Sequence, residues 1–238
     1  MKADDDVFKK FQQSLVGIQG RFYILEASIP VEKQVDFFHF SEELRGIYAE
    51  DDLEFHKQRL LDISSSIEDK KYSMSFLAIS GDVKSFRLLE NYLQSCEPDL
   101  FDWLKLSILQ AKITLESKFS DEKQVFISTG LGGKGDMLRF FSLFRSKQEI
   151  LFSHYQVGLI EKEFPFFVED KDGIIEELKV FDKYFTVLFL VKIDVDIKTM
   201  FDKALTECNQ YGDFIRHSFT ITNIKKYTDE EIREELKK

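Results

Sequence analysis

The spacing of apolar residues changes near Phe119, and this change constrains the fold more than any other feature of the chain. Before Phe119, apolar residues recur at the three- and four-residue spacing of helices that bury one face. After it, short β-branched and aromatic runs alternate with turn residues and with helix-like stretches. The sequence therefore predicts an α+β protein with a mainly α-helical part over 1–120 and an α/β part over 121–238.

The N-terminal part has its clearest helix pattern over residues 68–118. Two helix-like stretches are separated by Gly81-Asp82, and a third begins at Pro98. The quoted stretches are Lys71-Tyr72-Ser73-Met74-Ser75-Phe76-Leu77-Ala78-Ile79, Phe86-Arg87-Leu88-Leu89 and Pro98-Asp99-Leu100. Together they resemble HEAT-type helical repeats. The resemblance implies a surface that binds another protein.

The C-terminal part has the element order of a ferredoxin-like βαββαβ module. The predicted elements are a strand over 137–145, a helix over 147–164, strands over 174–181 and 184–193, a helix over 197–211 and a strand over 215–221. The residues Met137 to Arg145 fit both helical and strand spacing, and their phenylalanines favour a strand. We predict residues 124–128 as one added strand.

A glycine-rich loop follows the apolar run Val125 to Ile127. Its letters fit G-x-G-x-x-G, but bulky residues follow where a dinucleotide-binding helix must pack closely. Asp136 and Met137 also replace the Lys and Ser or Thr of a P-loop. We expect a hairpin loop, and the alternative is a site for another anion or a peptide segment. The candidate ligand-binding residues are Gly130, Gly132, Gly133, Lys134, Gly135, Asp136 and Arg139.

No complete catalytic or metal-binding motif is present in the sequence. The four histidines are isolated from one another, and Cys96 and Cys208 are far apart, as expected for reduced thiols of a cytoplasmic protein. We therefore expect no catalytic residue, no metal and no cofactor. The longest apolar run, Tyr184 to Val191, is shorter than the roughly 20 residues of a membrane helix, so we expect no membrane association.

The formal net charge is −10, which opposes association with the phosphate backbone of nucleic acids. The sequence therefore predicts no general nucleic-acid binding. Our leading hypothesis is a non-enzymatic cytoplasmic interaction or adaptor protein whose partner is another protein. The alternative is a nucleotide- or anion-binding enzyme or sensor that uses the glycine-rich loop over 130–136.

Overall fold

A computed structural model describes residues 21–49, 52–119 and 124–237. These residues divide into two compact units. The helical unit contains residues 21–23 and Ile29–Ile127, and the α/β unit contains Ile24–Ser28 and residues 128–237. The α+β class is confirmed. The boundary predicted between residues 120 and 121 lies outside the described ranges, and the division at that point stays a prediction.

The helical unit contains five helices that begin and end at polar or turn residues. They are α1 Val31–Arg45, α2 Leu53–Leu61, α3 Ile67–Ile79, α4 Val83–Tyr92 and α5 Phe101–Phe119. The Ser66 side chain caps α3 by accepting a hydrogen bond from the Asp69 N–H, and the Asp82 carboxylate caps α4 through the Ser85 N–H. These caps satisfy backbone donors that the first turn of a helix leaves unpaired.

Helix α3 is the centre of the helical unit, because it contacts each of the other four helices. Its buried residues include Lys70, Ser73 and Ser75 as well as its apolar side chains. The Ser75 hydroxyl accepts a hydrogen bond from the Trp103 indole at 2.9 Å. In a helical-repeat protein each repeat contacts only its neighbours along a stack. The helices instead surround α3, and the predicted resemblance of residues 68–118 to HEAT-type repeats is wrong.

Strands β1 Arg21–Ile24 and β2 Gln124–Ile127 pair with each other in a two-stranded sheet. The strand predicted at 124–128 therefore forms, but it is not an added strand of the larger sheet. The larger sheet is antiparallel throughout, and its described elements are β3 Gly133–Lys134, β4 Met137–Ser146, β5 Ile174–Val180, β6 Tyr184–Lys192 and β7 Ile215–Thr222. Its strand order is β5-β6-β4-β7, and the short β3 pairs with the beginning of β4.

Three further helices belong to the α/β unit: α6 His154–Glu169, α7 Ile197–Asn209 and α8 Asp229–Leu236. Phe144 of β4 packs against Phe164 of α6 and Phe201 of α7. Phe141 of the same strand belongs to a second apolar cluster with Ile232 of α8. Strand β4 is therefore buried on both faces. Burial on both faces removes the usual alternation, which explains why its sequence fits the helical period as well as the strand period.

Candidate functional site

The glycine-rich loop is built from close backbone contacts. A side chain at Gly130 would collide with the carbonyl group of Ile224, and one at Gly132 would lie 2.6 Å from the carbonyl oxygen of Ala27. Gly132 also has a φ of +67°, which favours glycine. These two glycines are therefore required by packing and backbone geometry.

Several hydrogen-bond donors of this loop have partners inside the protein. The N–H of Gly135 donates to Glu26 Oε1 at 3.1 Å, and the N–H of Leu131 donates to the Asn223 carbonyl at 3.0 Å. Arg139 donates to the Leu131 carbonyl at 2.7 Å and to Glu176 at 2.8 Å. The Arg139 hydrogen bonds lower the pKa of the Glu176 carboxyl.

This pairing removes the support for the hypothesis of a nucleotide- or anion-binding enzyme or sensor at the loop. The Glu26 carboxylate accepts a hydrogen bond from the Gly135 N–H, and the Glu176 carboxylate accepts one from the guanidinium of Arg139. Lys134 and Asp136 are exposed beside them, with opposite charges. The assignment of individual ligand-binding roles to the seven predicted residues stays a prediction.

A different pocket lies where β4 ends and β6 and β7 begin. Residue Arg145 pairs with Tyr184 across β4 and β6, and Ser146 pairs with Ile215 across β4 and β7, so three strand ends meet here. The end of α8 closes the pocket, whose volume is about 260 Å³. We call it the basic pocket, and its lining residues are Arg145, Ser146, Glu149, Lys183, Arg216, Leu236 and Lys237.

The basic pocket has an excess of positive charge. Two of its four cations form ion pairs: Lys183 Nζ lies 3.9 Å from Glu149, and Arg145 Nη2 lies 3.6 Å from Glu235. The other two, Arg216 and Lys237, have no ion pair with any residue that the structure describes. Close cations without counterions repel each other, and an anion bound between them relieves that repulsion.

Ser146 lines the same pocket and is 2% exposed. Its backbone N–H donates to the Lys183 carbonyl at 2.8 Å. Its hydroxyl, however, has no hydrogen-bond partner within the described part of the chain. A buried hydroxyl without a partner costs about 1–3 kcal/mol, and its oxygen is closed to solvent.

The turn after β4 has an unusual backbone. Gln148 and Glu149 have φ values of 55° and 56°, in a region that residues other than glycine seldom occupy. The sequence predicts a helix from Lys147, but α6 begins at His154, because Ser153 and Gln156 form a capping box there. Lys147–Glu149 form a short, distorted 3-10 turn, residues 150–152 are irregular, and such strained backbone is enriched at functional sites.

This turn also lines a second cavity, of about 340 Å³, which we call the apolar cleft after its exposed Ile150 and Leu151, although four of its nine lining residues are polar or charged. Its lining residues are Lys147, Gln148, Ile150, Leu151, Phe152, Gln156, Gly212, Asp213 and Phe214. Ile150 and Leu151 are 61% and 59% exposed. Beside the cleft in the chain, Tyr155 and Tyr211 are also exposed, with ring centroids 6.3 Å apart. Basic pocket and apolar cleft thus share one turn.

Neither a metal-binding cluster nor a reactive thiol is found in the described residues. Within them, no cluster of three or more His, Cys, Asp or Glu residues could hold a metal ion. Burial raises the pKa of the Cys96 thiol to about 11 and that of Cys208 to about 12, so both thiols are protonated at neutral pH. None of the described helices has the length and apolar character needed to cross a membrane.

The solved structures that are similar to this chain include two transposases. One is a putative transposase from Deinococcus radiodurans R1, at 13% identity and a TM-score of 0.37, over 44% of this chain and 92% of that one. The other is a REP-associated tyrosine transposase bound to a REP hairpin, at 13% identity and a TM-score of 0.33, over 47% of this chain and 66% of that one. No family model matches, and no curated protein matches.

These comparisons correct several expectations from the sequence. Both similar structures are transposases, and neither is a HEAT-type repeat protein. The predictions of a non-enzymatic adaptor that binds another protein and of no general nucleic-acid binding are corrected accordingly: the similar structures are transposases, and one of them holds a REP hairpin. At this identity and TM-score, the likeness assigns no activity to the present chain.

Proposed function

We propose that the α/β unit binds single-stranded nucleic acid at the end of its sheet, with a phosphate group in the basic pocket and a base in the apolar cleft. The observation that carries the proposal is the pocket itself: four cations line it, and two of them, Arg216 and Lys237, have no ion pair with any described residue. Phosphate oxygens are acceptors that fit such donors.

The apolar cleft favours a nucleic acid over a small anion. Single strands bind through a positively charged groove together with aromatic side chains on which bases stack. Tyr155 and Tyr211 are exposed beside the cleft, and the turn at 147–150 separates the cleft from the pocket by only a few residues. A base and its own phosphate could therefore be held on the two sides of one turn.

The net charge of −10 does not oppose a local contact of this kind. Interactions between exposed charges are largely screened beyond about 8–10 Å at physiological salt. Arg216 and Lys237 line the pocket, so these nearby charges act on a bound phosphate more strongly than the net charge of the chain does. Binding should therefore depend on these few cations and should weaken steeply as salt is added.

Fluorescence anisotropy with a labelled single-stranded oligonucleotide at low salt tests this proposal. Wild-type protein should bind, and Arg216→Ala should weaken binding. The slope of log affinity against log salt concentration should become shallower by about 0.7, the contribution of one phosphate contact on a single strand. Lys162→Ala is the matched control, since it removes an equal charge from an exposed position on α6. Absence of binding by the wild type, or equal loss in both variants, would contradict the proposal.

We also propose that the α/β unit has the ferredoxin-like βαββαβ arrangement. Its support is the antiparallel order β5-β6-β4-β7, with α6 after β4 and α7 after β6. The packing of Phe144 against both helices supports their location on one face of the sheet. A cytoplasmic location also stays a proposal, and its support is that Cys96 and Cys208 are both free thiols.

A further inference from the structure

We infer that the acidic helix α8 restrains nucleic-acid binding, because its Glu235 carboxylate pairs with Arg145 in the free protein and is displaced when a phosphate group of the strand binds there. This inference rests on the proposed function and concerns the regulation of the same site. Glu235 is then an internal competitor of the ligand, and removal of its charge should raise the affinity for single-stranded nucleic acid.

Arg145 lies on the face of the sheet that α8 covers. Its neighbour across the strands, Tyr184 of β6, packs against the apolar cluster that joins Phe141 of β4 to Ile232 of α8. Opposite residues of paired strands lie on the same face of a sheet, so Arg145 lies on that face as well. Arg145 also lines the basic pocket, together with Lys237 just after the helix. The cation is therefore located between the pocket and α8.

The Glu235 carboxylate is held near Arg145 by a second contact. Glu235 Oε1 lies 3.6 Å from Arg145 Nη2 and accepts a hydrogen bond from the Thr220 hydroxyl of β7 at 3.3 Å. The Arg145 and Glu235 side chains are both mostly buried. Their separation is longer than the roughly 2.7–2.9 Å of a charge-assisted hydrogen bond. A phosphate oxygen that reaches Arg145 at that distance would therefore replace a looser contact with a stronger one.

Helix α8 combines negative charge with an apolar attachment to the sheet. Five of its eight residues are acidic and one is basic. Ile232 is buried, and Leu236 packs against the same apolar cluster. Isolated helices shorter than about 12–15 residues are marginal in water, so α8 depends on this packing. The apolar contacts thus keep the Glu235 carboxylate close to Arg145 in the free protein, although the ion pair itself is loose.

Two neighbouring glutamates of α8 provide a matched comparison. Glu235 is paired with Arg145, whereas Glu234 is exposed. Glu235→Gln and Glu234→Gln remove the same charge from the same helix, and a glutamine at position 235 keeps an oxygen that can accept from Thr220. Both variants should therefore keep the fold, and only Glu235→Gln should release Arg145 for a phosphate.

Fluorescence anisotropy with a labelled single-stranded oligonucleotide at low salt measures the affinities. Glu235→Gln should bind about fivefold more tightly than the wild type, at the lower end of the coupling between linked sites, and Glu234→Gln should stay within about twofold. The gain should depend on Arg145, so adding Glu235→Gln to Arg145→Ala should change the affinity by less than about twofold. Urea denaturation of each variant verifies that folded proteins are compared.

An unchanged or lower affinity of Glu235→Gln would overturn the inference. An equal gain in Glu235→Gln and Glu234→Gln would overturn it too, because long-range charge alone explains that result. A full gain that persists beside Arg145→Ala would show that Glu235 does not compete for this cation. In each of these cases, weaker binding by Arg216→Ala would leave the proposed function standing without restraint by α8. If the wild type binds no oligonucleotide, the proposed function itself fails, and the inference fails with it.

Discussion

The glycine-rich loop and the basic pocket both place positive charge near tight backbone turns, but they use that charge differently. In the loop, Arg139 is paired with Glu176 and with the Leu131 carbonyl, and the Gly135 N–H is paired with Glu26. In the pocket, neither Arg216 nor Lys237 has an ion pair with a described residue. The polar groups of the loop are therefore paired within the protein, whereas cations of the pocket are available to an anion.

The loop and the pocket should therefore affect different quantities, the free energy of unfolding and the affinity for a ligand. Paired groups contribute to folding, since removing one of them leaves its buried partner unsatisfied. Unpaired groups at a cavity contribute little to folding and are available to a ligand. Changes in the loop should therefore lower the free energy of unfolding, while changes in the pocket should lower affinity, and each prediction below can break this separation.

The largest effect is expected from Arg216→Glu, on binding. The variant removes one cation and adds a negative charge facing the phosphate, so the affinity for a single-stranded oligonucleotide should fall about a hundredfold at low salt. Its midpoint of chemical denaturation should stay close to that of the wild type. An affinity unchanged within about twofold would remove Arg216 from the site.

The next effect is expected from Gly130→Ala, on stability. A Cβ atom here would meet the carbonyl group of Ile224, and the backbone would have to move, at a cost of about 1–3 kcal/mol. Urea denaturation measures this cost. Gly158→Ala is the control, because nothing lies within 4 Å of a Cβ at that position of α6. Affinity for the oligonucleotide should be retained by the folded fraction of Gly130→Ala.

A smaller effect is expected from Glu176→Gln, which removes the charge that Arg139 holds. The side chains of Arg139 and Glu176 are both mostly buried, so the free energy of unfolding should fall by about 1 kcal/mol at pH 7. Because the pKa of Glu176 is lowered, this stabilisation is present above about pH 4.3, the ordinary value, and is lost as the pH falls through the lowered value.

The difference between wild type and Glu176→Gln should accordingly disappear in acid. Glu149→Gln is the matched control in the pocket, where the exposed carboxylate lies 3.9 Å from Lys183. Its stability should be close to that of the wild type throughout the titration. A larger loss in Glu149→Gln than in Glu176→Gln would reverse the comparison between the two regions.

The smallest effect is expected from Lys134→Ala. Its side chain is exposed, so stability should change by less than about 0.5 kcal/mol, and affinity for the oligonucleotide should not change. Thermal unfolding with and without phosphorylated ligands measures both quantities. A ligand-induced rise in Tm that is present in the wild type and absent in Lys134→Ala would instead make the predicted ligand-binding residues of the loop the real site.

The sequence predicts individual helices and strands better than it predicts the basic pocket. The helix at α7 is correctly predicted, because Met200, Phe201 and Leu205 recur at helical spacing and face one core. The strand β4 is predicted from its phenylalanines even though burial on both faces removes the alternation. Local patterns of this kind report on one element at a time.

The basic pocket depends on several elements at once. The cations of the basic pocket come from four places in the chain. The pairing of β4 with β6 and β7 and the end of α8 bring them together: they are Arg145, Lys183, Arg216 and Lys237. The one local indication is Ser153 followed by Gln156, which marks a helix start seven residues after the predicted one and leaves a turn at the pocket. By contrast, the glycines of the loop are conspicuous in the sequence because the backbone of other segments approaches Gly130 and Gly132 closely.

The most direct test of this comparison is an amide NMR titration of the protein with a single-stranded oligonucleotide. The account predicts chemical-shift changes at Ser146, Lys183 and Arg216, which line the basic pocket, and no change at Gly132 or Lys134 in the glycine-rich loop. Changes confined to the loop, with the pocket amides unmoved, would contradict it.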